Sequence, residues 1–310
     1  MEVVSVLFDM ALIASAIRLT VPIVLAALGA VFSERGGVIN IGLEGIMIMG
    51  TFFGAVGTLY GGPTVGVFAA VTAGVAFAAI HALVTITFRV DQIISGVVLN
   101  LLAVGLARFL NILLFGVATQ SPGIGGFAPV SIPLLRDVPG LRPVATGISP
   151  LILVAILLVF VGQWVLVRTK FGLRLRAVGE NPAAADTLGV NVYLMRYLGV
   201  LISGALAGMA GAYLAIEQGR GYLEGMTQGR GFIALAAMIF GNWWPIGALG
   251  ASALFGYFDA LSLRVVVLNV PHQFLNVLPH IVTILVLAGF VRRARPPAAD
   301  GVPYTKGEES

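Results

Sequence analysis

The chain offers few residues that could carry out chemistry of their own. It has 310 residues and no Cys, and its three His residues lie far apart at His81, His272 and His280. A metal site needs several ligands at close spacing, and covalent catalysis needs a nucleophile beside a base. Neither pattern is found in the sequence, nor is a G-x-x-x-x-G-K-[ST] phosphate loop. We therefore expect no metal, no cofactor and no enzymatic activity in this chain.

The polar residues of greatest interest interrupt an apolar stretch. Residues 36–45 contain four Gly residues together with Asn40 and Glu44. At membrane depth, irregular backbone and a carboxyl group are tolerated only where protein or a watery cavity surrounds them. Asn40 and Glu44 are therefore candidates for the lining of a path across the membrane. Alternatively, Glu44 forms a buried ion pair with an Arg such as Arg35, or it lies at the water interface.

Phe232 and Asn242 are two further candidates for contact with a solute. Aromatic rings stack on nucleobases, and an amide can hydrogen-bond them, so these residues could hold a base together with Trp243 and Trp244. An aromatic belt at the membrane surface explains the two Trp residues equally well. Other polar residues within the apolar segments, such as His81, are expected to bond neighbouring helices to one another.

The composition shows which kind of fold must position these residues. Hydrophobic residues make up 58% of the chain and charged residues 10%, with a mean hydropathy of +1.00, whereas soluble domains carry about 25% charged residues. A membrane helix needs about 20 apolar residues, so the length allows about eight to ten crossings. We predict an all-α, polytopic membrane helical bundle in which some helices are short or broken. It forms one transmembrane domain over residues 1–296, followed by a disordered tail over 297–310.

The distribution of Lys and Arg predicts the orientation of this bundle in the cell membrane. The net charge of +4 is typical of basic loops that stay in the cytoplasm and does not require a nucleic-acid partner. Placing the loop from Arg168 to Tyr197 in the cytoplasm brings the basic C-terminal residues to the same side. The C-terminus is therefore predicted to be cytoplasmic.

That loop contains the signals of a short helix. Asn181 can cap its N-terminus, Pro182 suits the first helical position, and Ala residues follow. Gly189 can adopt the left-handed conformation that ends a helix. A helix of about two turns is unstable alone, so it must dock either on a cytoplasmic partner or on its own bundle.

Three stretches of the chain are distinctive when taken together, namely Glu34 to Gly45, Gly179 to Val192, and Gly229 to Asn242. They resemble a known family, the permease subunits of ATP-binding-cassette importers for nucleosides and simple sugars. The resemblance implies that residues 179–192 form the coupling helix, which contacts a separate ATPase subunit. The residues expected to make that contact are Gly179, Glu180, Asn181, Pro182, Ala184, Ala185 and Gly189.

The resemblance also implies a second, similar permease and an extracytoplasmic solute-binding lipoprotein. The first and last of the three stretches are more similar to the nucleoside branch of the family than to its ribose and amino-acid branches. We therefore expect the solute to be a nucleoside, and a purine nucleoside in particular. Much the same lining of the path would also suit a simple sugar, which is the alternative solute. In a competing interpretation, the chain is a secondary transporter or channel that works alone, with Glu44 and Asp259 relaying protons.

Overall fold

The computed structural model describes residues 9–131, 142–265 and 294–307, and within them the regular elements are helices. Short π-helical turns, Leu83–Thr87 and Leu214–Gln218, extend two of these helices. The structure thereby confirms the predicted all-α fold. The ten helices of the described residues are α1 (Met10–Glu34), α2 (Leu43–Ala82), α3 (Gln92–Phe115), α4 (Arg142–Ala145), α5 (Pro150–Arg168), α6 (Lys170–Glu180), α7 (Pro182–Thr187), α8 (Val192–Tyr213), α9 (Arg230–Phe240) and α10 (Pro245–Val265).

Six of these helices, namely α1, α2, α3, α5, α8 and α10, are long and apolar enough to cross a membrane. The eleven residues of α9 are apolar but too few to cross alone. The chain is therefore a multi-pass membrane bundle that contains a short helix, as the sequence predicts. The sequence also predicts an apolar segment over residues 277–291, which lies outside the described residues.

Helix α2 folds back on itself at Gly62. Gly62 has φ 83° and is followed by Pro63, a pair that ends one helix and starts the next. A Cβ placed on Gly57 would lie 2.8 Å from the Cβ of Ala69, although twelve residues span about 18 Å in a straight helix. The two arms of α2 therefore lie side by side, and they correspond to two separate apolar segments in the sequence.

Helix α8 is the most completely buried of the six long helices, and glycines allow both arms of α2 to reach it. A Cβ on Gly50 would lie 2.5 Å from the carbonyl oxygen of Gly208, and one on Gly74 would lie 2.8 Å from the Cα of Gly208. Backbones that approach this closely are a common means of packing helices in lipid. By contrast, α3 exposes large apolar side chains such as Leu101 and Phe109, which suits a surface covered by lipid or by another subunit.

The C-terminal residues 294–307, here named the strap, contact the bundle, and the disorder expected from residue 297 onward stays a prediction. Ala299 and Tyr304 in the strap are buried. The backbone N–H of Ala299 donates to the carbonyl oxygen of Gly179 at 2.9 Å, and Arg196 donates through Nη1 to the carbonyl oxygen of Val302 at 2.9 Å. The backbone of the strap thus has partners on α6 and α8, which its polar composition does not reveal.

The contact between α2 and α8 predicts a large difference between two Gly-to-Ala variants. Gly50→Ala places a methyl group against the backbone of Gly208, and such overpacking costs about 1–3 kcal/mol. The matched control is Gly105→Ala, because nothing lies within 4 Å of a Cβ at this position. We expect Gly50→Ala to lower the unfolding temperature of the detergent-solubilised protein and Gly105→Ala to leave it unchanged or raise it. Equal unfolding temperatures would contradict the proposed packing.

Candidate functional site

The segment between α1 and α2 leaves the helical path, and polar side chains from α3 and from the far end of α2 satisfy its backbone. Gln92 accepts a hydrogen bond from the N–H of Ile39 at 2.6 Å, and Nε2 of His81 donates to the carbonyl oxygen of the same residue at 3.0 Å. Asn100 donates to the carbonyl oxygen of Ile41 at 3.1 Å and accepts from the N–H of Gly45 at 2.7 Å. Irregular backbone inside the bundle is stable because these partners replace water.

Asn40, a candidate for the path lining, points into this packed region. Its side chain has no solvent-exposed surface, and Nδ2 donates to Oγ of Ser203 on α8 at 3.1 Å. Asn40 therefore bonds the broken segment to the central helix in this structure. Its place on a path stays a prediction.

Glu44 binds the start of α9. Its Oε1 accepts from the N–H of Gly229 at 2.9 Å and its Oε2 from the N–H of Gly231 at 2.7 Å. Position 231 requires glycine, because a Cβ there would lie 2.5 Å from the backbone nitrogen of Glu44. Arg230 adds a positive charge that interacts with Glu44 and with Asp259. The N-terminus of α9 is thus capped by a carboxylate that lies 185 positions away in the chain.

Arg35 does not form the ion pair with Glu44 that the sequence leaves open. Arg35 instead donates through Nε to the carbonyl oxygen of Trp243 at 2.8 Å and through Nη2 to that of Asn242 at 3.3 Å. Its guanidinium group lies 4.5 Å from the centre of the Trp244 ring, and that of Arg176 lies 5.6 Å from it. These contacts hold the turn that follows α9.

The two Trp residues therefore have structural partners within the protein. Nε1 of Trp243 donates to Oε2 of Glu34 at 2.6 Å, and the Trp243 ring is buried, so it cannot stack on a solute in this structure. Phe232 and Asn242 lie at opposite ends of α9 and are both exposed, Phe232 to 49%. Oδ1 of Asn242 accepts from the N–H of Arg295 in the strap at 3.0 Å.

The loop between α5 and α8 forms the short helix that its sequence predicts. Oδ1 of Asn181 accepts from the N–H of Ala184 at 2.9 Å, Pro182 begins α7, and Gly189 has φ 79°. Ala185 is buried against the bundle, while Ala184 is exposed and Leu188 is 84% exposed. One side of α7 therefore docks on its own chain, and the other side is open.

The strap was not predicted from the sequence to be part of this region, yet it lies against α6 and α7. Gly179 is pressed between two elements: its carbonyl oxygen accepts from Ala299, and a Cβ on it would lie 2.3 Å from the carbonyl oxygen of Arg35. Nζ of Lys306 lies 3.8 Å from Oδ1 of Asp186. No local pattern in residues 294–307 signals these contacts.

The carboxyl group of Asp300 in the strap lies beside that of Glu34 and shares a hydrogen bond with it. Two carboxyl groups can share a hydrogen bond only when one of them carries a proton. Burial raises the pKa of Asp300 to about 7, and the positive charge of Arg196 acts in the opposite direction. The attachment of the strap is therefore linked to a proton.

Comparison with known proteins identifies the family to which this arrangement belongs. The family described as "Branched-chain amino acid transport system / permease component" matches residues 12–287, which is most of the chain. The chain belongs to this family. The segment between α1 and α2, the short helix α9 and the exposed helix α7 of this permease all lie within the residues that match the family.

Three relatives of the permease carry informative names. The guanosine ABC transporter permease protein NupQ of Bacillus subtilis is 44% identical over 93% of this chain and 94% of its own. The nucleoside ABC transporter permease protein NupC of Lactococcus lactis is 42% identical over 96% and 97%. A putative glucose ABC transporter permease protein of Haloferax volcanii is 38% identical over 83% and 78%.

The raised pKa of Asp300 predicts that the strap is held more firmly in acid. Because the folded protein binds this proton more tightly than a free Asp does, whose pKa is about 3.9, raising the pH from about 4 to about 7 weakens the docked state, and the proton-linked contribution is lost above about 7. A spin label on Val302→Cys, unique because the chain has no other Cys, should become more mobile as the pH rises from about 4 to about 7.

Two controls accompany this measurement. Asp300→Asn removes the ionisation of this residue, so the dependence of the label mobility on pH should be clearly smaller in that background. The mobility of a label on the exposed Leu188→Cys, outside the strap, should not depend on pH. A strap label that is equally mobile at both pH values in the otherwise native chain would refute the linkage.

Proposed function

We propose that this permease is one membrane subunit of an ATP-driven importer and that it translocates a nucleoside, preferably a purine nucleoside. The observation that carries the proposal is the similarity, over nearly the full length of both chains, to relatives named as guanosine and nucleoside permeases. A nucleoside is polar but uncharged, so its path requires hydrogen-bonding groups and no fixed counter-charge.

The contact between Glu44 and α9 supports an uncharged solute. In transporters with broken helices, the N-terminus of a half-helix commonly points at an anionic group of the substrate. Here the N–H groups of Gly229 and Gly231 are already bonded to the Glu44 carboxylate. The carboxylate of an amino acid would have to displace Glu44 and approach its negative charge. This arrangement therefore favours a neutral solute over a branched-chain amino acid.

The exposed side of α7 supports contact with a separate ATPase subunit. A helix of six residues is too short to be stable alone, yet Ala184 and Leu188 face away from the bundle. We assign Gly179, Glu180, Asn181, Pro182, Ala184, Ala185 and Gly189 to this contact, with Ala185 and Gly179 supporting it from the buried side. The strap and the basic residues near α6 then lie on the cytoplasmic face.

The remaining partners of the proposed importer are a second, homologous permease and an extracytoplasmic solute-binding lipoprotein. We place the solute path beside α9, where Phe232 and Asn242 are exposed. Asn40 and Glu44, which are buried here, would border the path only after α9 moves. A ligand or motor shifts such an equilibrium only by making different contacts in the two states.

A simple-sugar importer is the second candidate function, because the Haloferax volcanii relative is named as a putative glucose permease. A hexose is also neutral, so the capped α9 would accept it equally well. Electrostatics favours a hexose and a nucleoside equally, so a transport measurement separates these two candidate functions.

The substrate proposal predicts uptake by the complete complex in proteoliposomes. With ATP inside and the solute-binding lipoprotein outside, we expect guanosine, inosine or adenosine to accumulate, and glucose, ribose and leucine to remain outside. Omitting the ATPase subunit should abolish uptake, and an imposed ion gradient should not restore it. Uptake of a sugar without uptake of a nucleoside would favour the simple-sugar importer over the nucleoside importer. Uptake driven by an ion gradient through the permease alone would contradict the proposal of an ATP-driven importer.

The proposed ATPase contact predicts that Ala184→Arg separates ATP hydrolysis from transport. The side chain at this position is exposed, so the bundle should fold with an unchanged unfolding temperature. We expect uptake to fall about tenfold or more while hydrolysis continues, because the bulky Arg prevents the ATPase from closing on α7. Ala184→Ser keeps the surface and should transport normally. A photo-crosslinker at position 184 that labels only lipid or the permease itself would disprove the contact.

A further inference from the structure

Both ends of α9 are held by residues from other parts of the chain. At its start, Glu44 binds the N–H groups of Gly229 and Gly231. At its end, the Asn242–Trp244 turn is bound by Glu34, Arg35 and Arg176. Helix α9 is therefore a short rod between the proposed ATPase contact and the interior of the bundle.

We propose that α9 carries the movement of α7 into the bundle, and that the Arg176–Trp244–Arg35 cluster is the joint that connects the two helices. This inference rests on the proposed contact between α7 and an ATPase. Movement at that contact reaches the segment between α1 and α2 through the residues of this cluster. They act by positioning α9 and do not touch the solute.

The first step of the connection is from α7 to α6. Asn181 ends α6 and caps α7, with its carbonyl oxygen accepting from the N–H of Ala185 at 3.0 Å. Because one residue belongs to both helix termini, a tilt of α7 is passed to α6. Arg176 lies one turn before that end, so it moves with the tilt.

The second step is from α6 to the turn after α9. The guanidinium groups of Arg176 and Arg35 both lie over the ring of Trp244, at 5.6 and 4.5 Å. A cation over the face of Trp is attracted by the ring, and the attraction grows where water is excluded. The two like charges repel each other, and the negative charge of Glu180 nearby reduces that cost.

The strap makes a second, parallel connection between the same elements. Ala299 bonds to Gly179 on α6, and Lys306 lies beside Asp186 on α7. At its other end, the N–H of Arg295 bonds to Oδ1 of Asn242. The turn after α9 is thus attached to α6 both through the Trp244 ring and through the strap.

The last step runs along α9 to Glu44. Eleven residues of helix extend about 16 Å, and a helix of this length moves as one piece. Any shift of its N-terminus must either carry Glu44 along or break two hydrogen bonds to a charged acceptor, and such bonds are stronger than those between neutral groups. Glu44 lies in the first turn of α2, so the movement reaches the end of the broken segment.

The test compares two Arg-to-Gln variants on the same helix. Arg176→Gln removes a cation from the Trp244 ring, and Arg176 is half-exposed, so the fold should survive. Arg174→Gln is the matched control, because Arg174 is exposed and lies two positions earlier on α6. A single Cys at Phe232, at the start of α9, reports the position of the helix by its labelling rate with a water-soluble thiol reagent.

We expect the labelling rate of Phe232→Cys to differ by about fivefold or more between nucleotide-free and ATP-trapped complexes, a size typical of coupled sites. Arg176→Gln should reduce this difference to less than about twofold, and uptake per ATP hydrolysed should fall by a similar factor. Arg174→Gln should retain both the labelling difference and the uptake per ATP hydrolysed. In a second pair, Trp244→Leu should behave like Arg176→Gln, and Trp244→Phe, which keeps an aromatic ring, should restore part of the response.

The photo-crosslink at position 184, recorded in the same complexes, separates the two proposals. If the crosslink to the ATPase is present and Arg176→Gln retains the full labelling difference, the joint is refuted while the ATPase contact stands. If the otherwise native complex shows no labelling difference, α9 does not carry the movement. If no crosslink to the ATPase forms, the proposed contact between α7 and the ATPase fails, and the joint that rests on it fails with it.

Discussion

The bundle depends on keeping every backbone N–H and C=O satisfied where its helices are broken. Lipid offers no hydrogen bonds, and each unsatisfied buried group costs about 1–3 kcal/mol. The segment between α1 and α2 meets this demand with side chains of Gln92, His81 and Asn100, and α9 meets it with Glu44. Most of the conspicuous polar residues of the interior therefore serve the breaks in the helices.

Close backbone contacts hold both the central helix and α9. Around α8, glycines bring backbones into direct contact with both arms of α2, and such close-packed interfaces deform little. A Cβ on Gly231 at the start of α9 would lie 2.5 Å from the backbone nitrogen of Glu44, and one on Gly241 at its end would lie 2.2 Å from that of Ala248. The ends of α9 are held in addition by hydrogen bonds and by a ring between two cations. These polar attachments are the contacts that the proposed movement of α9 would exchange.

The charges near the strap link the remaining features. Glu34, Asp300 and Arg196 lie close together, Arg35 binds the turn after α9, and the strap bonds to α6. The proposed coupling helix is therefore not an isolated projection. It belongs to a connected region in which α1, α6, α8 and the strap are bonded to one another, and a partner that pushes on α7 would act on all of them.

The sequence alone determined the features that are local. Alternating apolar and polar stretches identified the membrane helices, because each crossing must be apolar along its own length. Asn181, Pro182 and Gly189 identified α7, because caps act on the nearest backbone groups. The break at residues 36–45 was recognisable because four Gly residues, Asn40 and Glu44 interrupt an apolar stretch.

Tertiary structure decided which distant residues meet. Glu44 binds residues 185 and 187 positions away, Arg35 binds Trp243 at a separation of 208 positions, and the strap finds α6. Each of these polar groups had several possible partners of suitable chemistry in the sequence. The choice among them follows from how α2, α8 and α9 pack, because only packing brings a particular donor within hydrogen-bond distance of a particular acceptor.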